Sequence, residues 1–246
     1  FLLKCLKAND FWIFTTPCYG RFEGCLGIYT IPRDHCNDFE GFLAKLKELG
    51  IAQNTHIFWS TCFHKVNPTT KWFNIRLKDW IFPWETWIEE TQAERNKLPS
   101  TLLEPADFPI KGDYVDIFIL KEMEKDATVD FNRIAKMLGM TLQGIKYHYD
   151  EHVVKRGLLE GFEIETLPYD KTVSDFYYFI FRFPNLTRMA KFASSLLDKP
   201  FVDILGRILG QPAILAKLYL PKKEFKNFKD SLSMLIRRGF LQSYDY

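Results

Sequence analysis

The run Asp130-Phe131-Asn132-Arg133-Ile134-Ala135-Lys136-Met137-Leu138-Gly139-Met140-Thr141-Leu142-Gln143-Gly144-Ile145-Lys146-Tyr147 reads as a helix, a break and a second helix. Asp130 is a residue type that accepts the free N–H groups at a helix start. Ile134, Ala135 and Leu138 recur on one face, and Gly139 stands where a left-handed cap ends a helix. The next helix begins at Thr141 or Leu142, runs to about Arg156 and stops at Gly157. Projected at about 100° per residue, Leu142, Ile145, Tyr149, His152 and Val153 share one arc, with Gln143, Lys146, Tyr147, Asp150 and Val154 opposite. Upstream, Val115, Phe118, Ile119 and, less regularly, Met123 predict a helix that ends before Asp126. Downstream, Leu158-Leu159 with Phe162 and Ile164 around Gly161 predict a short hairpin. Three short helices and a hairpin make a winged helix-turn-helix. Ala135 is small where two helices cross, Gly139 suits the turn, and Ile145 plugs the third helix into the core.

Working outward, the charge balance changes along the chain. The 246 residues carry a net charge of +2, but residues 113–165 hold 7 basic and 11 acidic side chains, whereas residues 166–246 hold 13 and 7. Residues 1–112 are neutral and contain all six Trp. Between Glu89 and Gly112, Pro99, Pro105 and Pro109 interrupt both helix and strand, which predicts a connector. The expected domains are therefore 1–92, a linker over 93–112, the winged helix over 113–167, and a final module over 168–246. A chain that is 47% hydrophobic and 26% charged is an ordinary globular one, which excludes disordered and collagen-like classes. The apolar run Phe176–Phe181 is far too short to span a bilayer, so no membrane partner is expected. Five Cys, an odd number without CxxC spacing, predict free thiols and a cytoplasmic location. The chain begins at Phe1 and shows no leader pattern.

The final module has the clearest local pattern. Phe176–Phe183 is a strand; Met189, Ala193, Leu196 and Leu197 mark a helix that Pro200 ends. Val202–Leu209 and Ala213–Leu220 are strands around Gly210-Gln211-Pro212. Phe225, Phe228, Leu232, Leu235 and Ile236 mark a second helix capped by Gly239, and Phe240–Tyr244 closes the order βαββαβ, a ferredoxin-like sandwich. Residues 1–92 give a diverged version: strand Cys25–Ile31, a helix on Phe39, Phe42, Leu43, Leu46 and Leu49 ended by Gly50, strands His56–Phe63 and Trp72–Trp80, and a helix from Trp84 to about Glu94. Phe11–Thr16 is an extra strand. The fold class is α+β, a winged helix flanked by two ferredoxin-like modules, and an internal duplication is expected.

Ile134-Ala135-Lys136-Met137-Leu138-Gly139 before the third helix, and Val153-Val154-Lys155-Arg156-Gly157-Leu158-Leu159 leading into the wing, resemble the Lrp/AsnC (feast/famine) regulators over Gly112 to Tyr246. The resemblance implies an archaeal or bacterial transcription regulator that dimerises through its sheet domain, which also binds an amino acid. The family's Gly-x-x-Asp effector loop would fall at Gly210-Gln211-Pro212-Ala213, where Ala213 replaces the Asp and argues against amino-acid sensing there. The extra module in front departs from the family order.

These patterns predict a non-enzymatic regulator that reads double-stranded DNA. Gln143 has the chemistry to pair with adenine, Lys146 with guanine or phosphate, and Tyr147 with phosphate or a thymine methyl. Thr141, Lys136, Lys155 and Arg156 would hold the backbone. The partners expected are DNA, a second copy (or an internal pseudo-dimer) and a small-molecule effector in the first module. The excess of acid in residues 113–165 favours the alternative of a winged helix that binds protein rather than DNA. A remote alternative is His148-Tyr149-Asp150-Glu151-His152, which matches the H-x-x-E-H zinc-peptidase pattern. On the projection His152 points into the apolar arc and His148 to its edge, so packing accounts for both and no metal or cofactor is expected. His56, Cys62 and His64 share strand parity, but His56 would lie roughly 20 Å from Cys62, and ordinary structural roles are expected. The six Trp are read as core rather than as a ligand pocket.

Overall fold

A computed structural model describes residues 1–20, 23–67, 69–93, 97–104, 112–159, 161–162 and 167–246. The chain is mixed α+β. In chain order its elements are α1 (Leu2–Leu6), β1 (Trp12–Cys18), β2 (Gly24–Tyr29), α2 (Cys36–Glu48), β3 (His64–Lys65), β4 (Phe73–Asn74), β5 (Asp79–Trp80) and α3 (Trp84–Glu90). These are followed by α4 (Tyr114–Lys125), α5 (Phe131–Leu138), α6 (Leu142–Tyr147, continued as a π-helical turn over His148–Val154), and β6 (Ser174–Arg182). The last elements are α7 (Leu186–Leu196), β7 (Val202–Ile208), β8 (Ala213–Pro221), α8 (Phe225–Arg237) and β9 (Ser243–Asp245). They fall into two interleaved compact units: Phe1–His56 with Asp107–Ile164, and Ile57–Ala106 with Glu165–Tyr246.

In the second unit the antiparallel order is β3-β7-β8-β6-β9. Strands β6 and β8 pair in register from Ser174↔Pro221 to Arg182↔Ala213. The alternation of β6 buries Phe179 and Phe181 completely, and they pack with Phe192 of α7 and Phe228 of α8. All six elements expected from Phe176 onward are present. Gly239 takes φ +64°, a backbone that residues with a Cβ rarely adopt, and turns the chain so that Phe240 and Leu241 drop into the core before β9.

Residues 1–92 do not form the expected module; their two halves belong to different units. Strand β1 pairs with β2 as a hairpin, and α2 buries Phe39, Leu43 and Leu46 while Leu49 lies exposed past its end. The expected strand His56–Phe63 is instead an irregular extended run along the edge of β7. Leu209 N–H donates to Trp59, Thr61 N–H to Arg207 and Val66 N–H to Asp203, with only His64–Lys65 forming a ladder. Edge groups of β7 need partners, and this segment supplies them. A Cβ on Gly206 would come within 2.8 Å of the Phe63 ring, so the glycine is what lets that ring close over the strand. The expected strand Trp72–Trp80 is a tight hairpin, β4–β5, because the Asn74 side chain accepts N–H groups from Arg76 and Leu77 and turns the chain.

Of the Trp residues, Trp72 and Trp87 are buried, and Trp84 packs against the same core as Trp87. Trp87 is 1% exposed, donates from Nε1 to Ser195 at 3.0 Å, and meets Phe192, Phe201 and Phe228 at ring-centroid separations of 5.7–5.9 Å. Trp84 packs on Phe201 at 5.1 Å. The expected linker also contributes: Leu102, in a single 3-10 turn, is fully buried in the same core. Most of that linker's remaining residues (94–96 and 105–111) lie outside the described residues, as do 160 and 163–166 of the expected wing.

Replacing Trp87 by Ala removes the largest of these side chains. The expected cost is about 3–5 kcal/mol, read as a lower urea midpoint of the second unit's transition; a loss under 1 kcal/mol would contradict this packing.

Candidate functional site

The first unit contains three helices around one core. Phe118, Ile119 and Met123 of α4, Ile134 and Ala135 of α5, and Ile145 and Val153 of the third helix are all buried. Asp130 caps α5 by accepting the Asn132 N–H at 2.9 Å, and Gly139 ends it at φ +64°. Thr141 caps α6 by accepting the Gly144 N–H at 3.1 Å. Helix, turn and helix therefore fall where the caps dictate. The irregular position of Met123 has a cause: α4 is covered on a second side, where buried Lys121 donates to the Asp10 carbonyl and pairs with Glu122 at 3.0 Å. Burial pushes the Lys121 ammonium below its usual range.

The third helix presents the side expected of it. With Ile145 and Val153 fully buried, Gln143, Lys146, Tyr147, Asp150 and Val154 are all exposed. Thr141, Lys136, Lys155 and Arg156 are exposed too. Thr141 spends its hydroxyl oxygen on the cap, and Lys155 pairs with Glu151 one turn back. Arg133, exposed on α5 one turn before Lys136 and Met137, belongs to the same helix pair and was not singled out from the sequence.

The two histidines do not pack into the apolar arc, which corrects the reading of His148 and His152. Both face Asp116, which has 0% exposure. Nδ1 of His148 lies 2.8 Å and Nδ1 of His152 3.1 Å from the same Asp116 Oδ1. Asp113 Oδ2 lies 3.6 and 3.8 Å from the two imidazoles. The carboxylates are aimed by a reciprocal cap at the start of α4. Asp113 Oδ1 accepts the Asp116 N–H at 3.1 Å, and Asp116 Oδ2 accepts the Asp113 N–H at 2.9 Å. Each carboxylate is thus held by one oxygen and turns the other to the histidines, and His152 Nδ1 also lies 3.2 Å from the capping oxygen of Asp116, Oδ2. The imidazoles stack edge-on at 4.8 Å, in the turn where the helix widens to π geometry. Glu151 is not part of this cluster and is engaged by Lys155, so the H-x-x-E-H arrangement of a zinc peptidase is not assembled. The Asp113-x-x-Asp116 spacing was the available sequence clue.

Of His56, Cys62 and His64, His64 has its Nδ1 2.9 Å from Thr101 Oγ1, and Cys62 is exposed. At Gly210-Gln211-Pro212-Ala213, the Glu104 carboxylate accepts the Gly210 N–H at 3.2 Å and an Arg207 N–H at 2.8 Å. No helix among the described residues is long and apolar enough to cross a membrane.

No protein-family model matches the chain, and neither does any curated protein. Among solved structures, the protein PH0061 is similar with 22% identity and a TM-score of 0.39, covering 56% of this chain and 91% of its own. Transcriptional regulatory protein PF0864 of Pyrococcus furiosus, a member of the ASNC family, is similar with 16% identity and a TM-score of 0.31, covering 54% and 86%.

Asp116→Ala removes both a helix-cap partner and the carboxylate that two half-buried imidazoles face. The expected cost is about 1–3 kcal/mol in urea denaturation followed by circular dichroism, against less than about 0.5 kcal/mol for the exposed Asp150→Ala. Equal effects of the two would contradict the role given to Asp116.

Proposed function

We propose that this chain is a DNA-binding transcription regulator of Lrp/AsnC type, that residues 113–167 are a winged helix-turn-helix, and that the third helix enters the major groove. The observation that carries this reading is the exposed face of that helix: Gln143 and Lys146 are exposed, as is Tyr147, whose ring lies edge-on to His152, while Ile145 and Val153 are buried. Gln143 supplies a bidentate amide for adenine and Lys146 a donor for guanine. Lys136, Arg133, Lys155 and Arg156 serve the backbone, with Lys155 exchanging Glu151 for phosphate. The βαββαβ part of the second unit is then a ferredoxin-like dimerisation domain. Tyr178, Ile180 and Leu215 lie half-buried on the sheet face opposite Phe179 and Phe181, with Ile180 and Leu215 directly paired. This apolar centre, with Arg182 and Lys217 on the same face, suits a second copy of the same sheet.

A protein-binding winged helix is the second reading, favoured by the net charge of −4 over residues 113–165. Fluorescence anisotropy with mixed duplex DNA across a salt series separates the two. Groove binding predicts a steep loss of affinity with salt, and Lys136→Ala and Lys146→Ala each lower the slope of log K against log salt by about 0.9 where they neutralise a phosphate. No binding at low salt moves the function to a protein partner. For the sheet, Ile180→Asp is expected to convert dimer to monomer in light scattering; an unchanged mass rejects this face as the interface.

A further inference from the structure

The cluster at Asp113, Asp116, His148 and His152 has a use that neither DNA reading nor dimerisation gives it. We infer that it binds one divalent transition-metal ion, of which Zn²⁺ fits best. Each residue offers one ligand atom, and all four atoms lie within 4.8 Å of one another. In a tetrahedral site with bonds of about 2.0–2.2 Å, ligand atoms stand about 3.3–3.6 Å apart. The four nitrogen–oxygen separations here, 2.8, 3.1, 3.6 and 3.8 Å, bracket that edge.

Three further features fit an ion rather than hydrogen bonding alone. The histidines come from positions i and i+4 of one helix, the spacing that lets two imidazoles share a metal. The capping box binds one oxygen of each carboxylate to a backbone N–H, the orientation that metal-ligating carboxylates receive from their surroundings. Two carboxylates with two neutral imidazoles balance a dication without any further counter-charge. The donors also select the ion. Imidazole nitrogen with carboxylate oxygen suits Zn²⁺, Co²⁺ or Fe²⁺, whereas Mg²⁺ and Ca²⁺ prefer an all-oxygen shell. Asp113, half exposed, borders a cleft of about 450 Å³ lined by Pro32, Arg33, His35, Gly112 and Tyr114, which gives the ion a route in. The site joins the first turn of α4 to the last turns of the third helix, two elements otherwise held by apolar contacts.

Metal binding is read without DNA, so its failure and the failure of the DNA reading are separate results. The untagged full chain, stripped with EDTA and dialysed, is titrated with Co²⁺ and then Zn²⁺. One equivalent of Co²⁺ is expected to give the visible d–d bands of a tetrahedral site, without thiolate charge-transfer bands in the near ultraviolet, and Zn²⁺ should abolish them while excess Mg²⁺ does not. Competition with a chromogenic chelator is expected to show Zn²⁺ affinity falling more than about 100-fold in His148→Gln and in His152→Gln, beyond the usual cost of losing an outer partner. Asp113→Asn keeps a capping oxygen and serves as the variant whose fold is retained; it should also weaken binding. Binding of less than one equivalent, thiolate bands from the cysteines, or wild-type affinity in the His148→Gln/His152→Gln double variant overturns the assignment.

Discussion

A carboxylate with no exposed surface must be given donors, or the fold that buries it loses several kcal/mol. Asp116 meets that requirement at two ends: Oδ2 takes the Asp113 N–H and lies beside His152, and Oδ1 faces both imidazoles. Since the imidazoles come from the third helix and the carboxylate from α4, meeting that requirement, by a ring N–H or by a shared cation, fixes how the third helix lies on α4. Apolar packing through Ile145 and Val153 supplies most of the stabilisation, but such contacts tolerate small rotations that directed polar contacts do not. The orientation of Gln143, Lys146 and Tyr147 therefore depends on a buried acid on the other side of the same helix.

The acidic balance of residues 113–165 looks unfavourable for a surface meant to meet phosphates. The placement of the individual acids changes its meaning. Asp116 is buried, Glu122 is paired with Lys121 and Lys125, and Asp113, Asp126 and Asp130 are occupied at helix or turn starts. On the exposed face of the third helix Asp150 remains among Gln143, Lys146 and Tyr147, and Glu151 beside it is paired with Lys155. Net charge over a segment counts groups that face inward equally with those that face a partner. A dication held by Asp113 and Asp116 would halve the segment's deficit.

What could be read from the sequence followed the range of the interaction. Residues 174–245 were legible element by element, because period-two and helical periodicities and the breaks at Gly210 and Gly239 are local. So were the caps at Asp130, Gly139 and Thr141. The segment from Trp59 to Val66 was recognised as extended, yet its partner is β7, more than a hundred residues later, and no local pattern names a distant partner. The Trp72–Trp80 run mimics a strand in composition, and the one mark of its turn is the Asn74 side chain. His148 and His152 were noticed for their spacing and assigned to packing, because a helical projection gives the direction of a side chain but not what stands opposite it. Asp116 stands opposite, thirty-two residues before His148.

The interleaving of the two units governs the order in which the chain can complete itself during synthesis. The helices α4, α5 and α6 make contacts within a few dozen residues and can pack as soon as they emerge. Trp87 has no such option, because Ser195, its hydrogen-bond partner, lies 108 residues downstream. At typical elongation rates that separation is a delay of roughly 5–20 s. Throughout it an aromatic helix waits without its core while the three-helix core is already complete, and a chaperone would find its binding window there.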